Sequence, residues 1–98
     1  MSKYLILWEI DPARVPANAK DRGTAWLAMA EMVKADLKKG ITKDWGSFTG
    51  ELNGYSIGEG NEVSIMTQLI QYAPYVQFEV HAVASLAQVE DAIKASMK

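Results

Sequence analysis

The chain has 98 residues, 49% of them hydrophobic and 22% charged, with a formal net charge of −2 at pH 7. That length holds one domain, residues 1–98, which buries about 60–70% of its unfolded surface, and the composition excludes disordered and fibrous classes. The absence of cysteine removes disulfides, thiolate catalysis and zinc–cysteine sites, and the mildly acidic balance argues against a nucleic-acid partner, whose binding draws on clustered Lys and Arg.

In chain order, Lys3 to Ile10 is apolar on both sides apart from Glu9, the signature of a strand in the middle of a sheet. Its core, Tyr4 to Trp8, is an apolar run far too short to cross a bilayer. Residues 1–3 show no basic region or cleavage site, so a cytoplasmic protein without a membrane partner is expected. Pro12 and Pro16 stop the strand, and Asn18 caps a helix from about Ala19 to Lys39. Trp26, Met29, Ala30, Val33 and Leu37 form its apolar stripe, which predicts Trp26 in the core. Lys34, Lys38 and Lys39, the one basic cluster, sit where cations favour the helix C-terminus, and Gly40 ends it.

A second strand follows from roughly Lys43 to Glu51. Asn53-Gly54 predicts a two-residue type I′ hairpin that pairs Leu52 with Tyr55, Gly50 with Ile57 and Phe48 with Glu59 on the core face. Trp45, Ser47, Thr49, Glu51, Ser56 and Gly58 then take the other face, where small residues let a partner or ligand approach closely. Asn61 caps a short helix with Val63, Met66, Leu69 and Ile70 as its stripe, ending before Pro74. Tyr75 to Val83 alternates, with Val76, Phe78, Val80 and Ala82 on one face and Gln77, Glu79 and His81 on the other. Ser85 and Gln88 then open a last helix as a capping box, with Leu86, Val89, Ile93 and Met97 at helical spacing and Glu90 four before Lys94.

The order strand, helix, strand, strand, helix, strand predicts an α+β, ferredoxin-like βαββαβ domain: a four-stranded antiparallel sheet with two helices on one face, plus a C-terminal helix. Leu5-Ile6-Leu7-Trp8, Gly54-Tyr55-Ser56-Ile57 with Glu59, and Phe78-Glu79-Val80 through Val83 resemble small uncharacterised families of the dimeric α/β-barrel superfamily. The resemblance implies a homodimer in which two open sheet faces close into a barrel. That superfamily includes cofactor-independent monooxygenases, muconolactone isomerases, chlorite dismutases and proteins with no known reaction. No reaction-specific motif matches, so no catalytic set transfers, and function must be argued from the site.

His81, the only histidine, shares a strand face with Glu79, whose carboxylate would raise its basicity for general-base work; the structural alternative is an exposed or interface imidazole. Of Trp8 and Glu9, one faces the helices and the other the open face. Glu9 is the second catalytic candidate if buried, and Trp8 is a packing or ligand-facing aromatic. Arg22 lies one turn before Trp26, to stack on its indole and hold an anionic ligand or to cover the core edge. The candidate ligand-binding set is therefore Trp8, Trp45, Glu79, His81 and Arg22. One histidine without cysteine predicts no metal site, and Gly58-Glu59-Gly60 is no dinucleotide fingerprint, so no cofactor is expected. Gly54-Tyr55-Ser56-Ile57-Gly58 lacks the basic and aromatic residues of an RNA-reading strand. The leading expectation is a homodimer that binds a small apolar or aromatic molecule. The alternatives are a cofactor-independent isomerase or monooxygenase-like enzyme using His81 or Glu9, and a purely structural assembly module.

Overall fold

Alternation over Ser2–Ile10 makes β1 a strand with Tyr4, Ile6 and Trp8 buried on one face and Leu5 and Leu7 half-buried on the other. The computed structural model describes residues 2–98. A single 3-10 turn, Pro12–Arg14, follows β1, and α1 spans Ala19–Lys39. Asn18 caps α1 by accepting from the Lys20 and Asp21 amides, and Gly40 ends it at φ 86°, where a side chain would strain the backbone. The remaining elements are β2 (Thr42–Ser47), β3 (Asn53–Gly60), α2 (Glu62–Ile70), β4 (Val76–Val83) and α3 (Leu86–Ser96).

The result is an α+β domain whose single sheet has the order β2-β3-β1-β4. All three pairings are antiparallel, with the largely apolar β1 and the glycine-rich β3 inside and β2 and β4 at the edges. Helices α1 and α2 pack on one face. Ile65 of α2 buries against Tyr4 and Ile6, while Met29, Met32 and Val33 of α1 close over Trp8, Tyr72 and Val76. No helix among the described residues is long and apolar enough to cross a membrane.

The β2–β3 connection differs from the two-residue hairpin expected of Asn53-Gly54. Asn53 and Gly54 belong to β3, with Ser47 opposite Gly54 and Trp45 opposite Ser56, and the loop is residues 48–52. Glu51 donates its amide to the Phe48 carbonyl at 3.1 Å, and Gly50 between them takes φ 82°, the requirement of a type II turn at that position. The turn therefore sits four residues earlier than the Asn-Gly signal placed it. The face assignment inverts with it: Gly54, Ser56 and Gly58 are buried under the helices, while Tyr55, Ile57 and Glu59 lie on the helix-free face. Gly58 is small because α2 presses close; a Cβ there would stand 2.9 Å from Ile65 Cδ1.

Two helix stripes also turn out differently. In α2 the inward positions are buried Ile65, half-buried Leu69 and, beyond its end, buried Tyr72, whereas Val63, Met66 and Ile70 face outward. In α1 the one fully buried residue is Asp36, and Trp26, expected in the core, is 37% exposed.

Candidate functional site

Between α1, the start of β4 and the loop end of the sheet lies a cavity of about 280 Å³. Trp8, Trp26 and Trp45, every tryptophan of the chain, line it. Trp8 reaches it because β1 turns its even-numbered residues toward the helices, and its indole lies flat over Gly54, where a Cβ would come within 2.7 Å of the ring carbon Cε2. Its Nε1–H donates to the Tyr55 carbonyl at 3.2 Å, which fixes the ring. Trp45, opposite Ser56, stacks on that indole with centroids 5.2 Å apart and planes 7° from parallel. Trp26 closes the mouth from α1, with the Arg22 guanidinium 5.8 Å from its ring centroid. Arg22 also donates to the Pro16 and Ala17 carbonyls, so it ties the loop before α1 to the helix while holding Trp26.

Met29, Val33, Leu69, Val76 and Phe78 complete the apolar wall. The inner end is polar. Asp36 is 4% exposed; Tyr72 donates its hydroxyl to Oδ2 at 2.6 Å, and Gln71 Nε2 donates to both carboxylate oxygens at 3.0 Å. All the groups on the carboxylate are donors, and among the described residues no Lys or Arg forms an ion pair with it. Burial pushes the Tyr72 hydroxyl well above its ordinary value, and the Asp36 carboxylate holding its proton pushes it further. Thr42 is hydrogen-bonded by Gln68 Nε2, which leaves the buried Gln68 Oε1 without a protein partner. An unsatisfied buried carbonyl oxygen and a carboxylate at the end of an apolar slot make an acceptor-rich terminus.

The opposite sheet face carries the other residues singled out from sequence. His81 and Glu79 sit together there, His81 Nε2 lying 3.1 Å from Glu79 Oε2, both mostly exposed. Glu9 is exposed on the same face, because Trp8 takes the helix side. His81, Glu79 and Glu9 line neither this cavity nor the recess between α1 and α2. The face itself is built of cross-strand rows Ile57–Leu5–His81 and Tyr55–Leu7–Glu79. Tyr55 donates to Asp44 at 2.8 Å, and that bond raises the phenol's pKa. Thus Trp8, Trp45 and, through Trp26, Arg22 converge on one side of the sheet, and His81, Glu79 and Glu9 on the other.

Asp36, Tyr72 and Gln68 are the residues of the cavity that sequence reasoning passed over. Asp36 stands three after Val33 and seven after Met29, inside the apolar stripe, and a carboxylate there is a signal of a buried polar site. Leu37, one position on, drew the stripe away from it. Among the described residues no group of three or more His, Cys, Asp or Glu is placed to hold a metal ion. No protein-family model matches the chain and no curated protein matches it, so the site is read from its own geometry.

Proposed function

We propose that the protein is a cytoplasmic, ferredoxin-like homodimer that binds a small aromatic molecule carrying a hydrogen-bond donor. The observation that carries this reading is the cavity of about 280 Å³ walled by three tryptophans and ended by Asp36 and Gln68 Oε1. A planar ring stacks on the Trp8–Trp45 pair, and a hydroxyl or ammonium reaches the acceptors; a carboxylate in their place meets Asp36 and is repelled. The plait assignment is supported by β1 and β3 at the centre, β2 and β4 at the edges and α1 and α2 on one face. The likeness to the dimeric α/β-barrel superfamily rests on the strand segments quoted above. Dimerisation through the open face is supported by Leu5, Leu7, Tyr55 and Ile57, a contiguous apolar centre rimmed by Glu9, Glu59, Glu79 and His81.

Calorimetric titration with 2-phenylethanol, phenethylamine and phenylacetate tests the binding reading. The alcohol and the amine bind in competition with each other, phenylacetate binds about tenfold more weakly or not at all, and Ala30→Trp, which fills the cavity, abolishes binding. Absence of saturable binding by any of the three, or binding unaffected by Ala30→Trp, rejects it.

An isomerase-like reading has one observation in its favour: Asp36 is a carboxylate in a largely apolar cavity, the setting in which a carbon-bound proton is taken and returned without a cofactor. His81 and Glu9 would enter such chemistry only at a dimer interface. Deuterium wash-in from heavy water into bound phenylacetone, lost in Asp36→Asn and kept in His81→Asn, supports it; no wash-in above the solvent rate leaves a binding protein.

A further inference from the structure

The last helix of the chain has an apolar stripe and nothing under it. In α3 no residue is buried, and Leu86, Val89 and Ile93 with the capping Met97 are 76, 43, 54 and 78% exposed. No strand or other helix makes more than a marginal contact with α3. The molecule is correspondingly long: it measures 61 × 25 × 20 Å with a radius of gyration of 16.4 Å, against about 13 Å for a compact chain of this size. Only Ala84 and Ser85 separate β4 from α3, and the Ser85–Gln88 capping box fixes the departure, Ser85 Oγ accepting from the Gln88 amide at 3.2 Å and Gln88 Oε1 from the Ser85 amide at 2.8 Å.

The same chain has a groove with no helix in it. At 100° per residue, Gln68, Gln71 and Tyr72 lie to one side of the buried Ile65 and Met66 and Ile70 to the other, while Val63, almost opposite Ile65, borders the recess between α1 and α2. The bonds from Gln71 and Tyr72 to Asp36 put α1 on the first side. The second flank therefore looks toward the β4 edge, where Val80 and Ala82, on the helix side of the sheet, are exposed. Two helices cover four strands unevenly: Val76 and Phe78 at the start of β4 are packed under them, and the strip over Val80 and Ala82 is left bare.

We propose that α3 leaves its own domain and lies in the α2–β4 groove of a second copy, with the exchange made reciprocally. This rests on the homodimer reading above and adds a second contact to it, on the helix side of the sheet rather than the open face. The occupant is a second copy because each chain supplies one apolar helix without a seat and one apolar seat without a helix. Reciprocity also supplies the area: α3 is about 16 Å long, and each protomer contributes a helix and a groove toward the roughly 800 Å² per partner that a stable dimer needs.

The absence of native cysteine makes the test direct. Met66→Cys and Ile93→Cys, each mid-helix and each exposed, are made in separate chains, mixed under denaturing conditions, refolded together and oxidised, with circular dichroism confirming that each variant folds. The proposal expects a disulfide-linked product of twice the 10.8 kDa chain mass containing one chain of each kind, and little linkage in either variant alone. Ile70→Cys with Val89→Cys serves as a second pair should the first fail to fold. A dimer by sedimentation without cross-linking in any pair overturns the exchange and leaves the open-face dimer standing. A monomer by sedimentation, with a chain carrying both Met66→Cys and Ile93→Cys either closing a disulfide within itself or forming none, overturns both.

Discussion

The indoles of Trp8 and Trp45 lie stacked, their centroids 5.2 Å apart and their planes 7° from parallel. Two indoles so placed couple electronically, so the circular dichroism spectrum carries an exciton couplet that either Trp8→Phe or Trp45→Phe removes. The two are unequal in stability. Trp8 is buried and Trp8→Ala costs about 3–5 kcal/mol, whereas half-exposed Trp45 contributes roughly 1 kcal/mol through the stack. Urea denaturation of the two alanine variants checks the order.

Gly54 is small because the Trp8 ring lies against it and the Gly46 carbonyl oxygen stands where a Cβ would go. Gly54→Val is expected to lower stability by about 1–3 kcal/mol through overpacking. It also displaces the Trp8 indole from the Tyr55 carbonyl, read as an upfield shift and faster exchange of the Trp8 Nε1 proton. Retention of both stability and that protected proton contradicts the placement of Trp8.

Tyr72 and Asp36 predict an alkaline limb in the stability profile. The native state binds the Tyr72 proton more tightly than the unfolded chain does, so this contribution is complete below the ordinary phenol value near 10 and is lost as pH rises beyond it toward the higher native value. Tyr72→Phe should flatten that limb while costing about 1.5–3 kcal/mol at neutral pH, the worth of a hydrogen bond to a charged group. Thermal melts of both proteins between pH 7 and pH 11 decide it.

The element order, the ends of α1, the caps at Asn18, Asn61 and Ser85, and the alternation of β4 were legible because each depends on neighbours in sequence. What escaped depends on tertiary contact. Asn53-Gly54 is a strong local turn signal, yet the turn forms at Gly50, because Trp45 and Ser47 must face the helices opposite Ser56 and Gly54. In α2 two apolar stripes compete, 65/69/72 and 63/66/70, and periodicity alone cannot say which meets the sheet. For the site, the aromatic members Trp8 and Trp45 stand out by residue type, whereas Asp36 was masked by the apolar residues around it. Which side of the sheet holds the cavity follows only from the register.

The open face makes its own prediction. Leu7 pairs across strands with Tyr55 and Glu79, so Leu7→Asp places a charge beside a like charge at the centre of the proposed dimer contact. The variant keeps its circular dichroism spectrum but shifts toward monomer in sedimentation equilibrium, by at least about tenfold in dissociation constant. An unchanged monomer–dimer equilibrium excludes this face from the interface.

The central claim is that a small aromatic molecule enters the cavity between α1 and the sheet, and the three tryptophans of the chain are its reporters. A ¹H–¹⁵N titration with 2-phenylethanol resolves one indole Nε1–H signal for each of Trp8, Trp26 and Trp45. The account predicts that all three move together along one saturable curve, with the Asp36 and Gln68 amides following and those of Leu5, Leu7 and His81 staying in place. Shifts confined to the open sheet face, or no saturable movement of the indoles up to the solubility limit of the alcohol, contradict it.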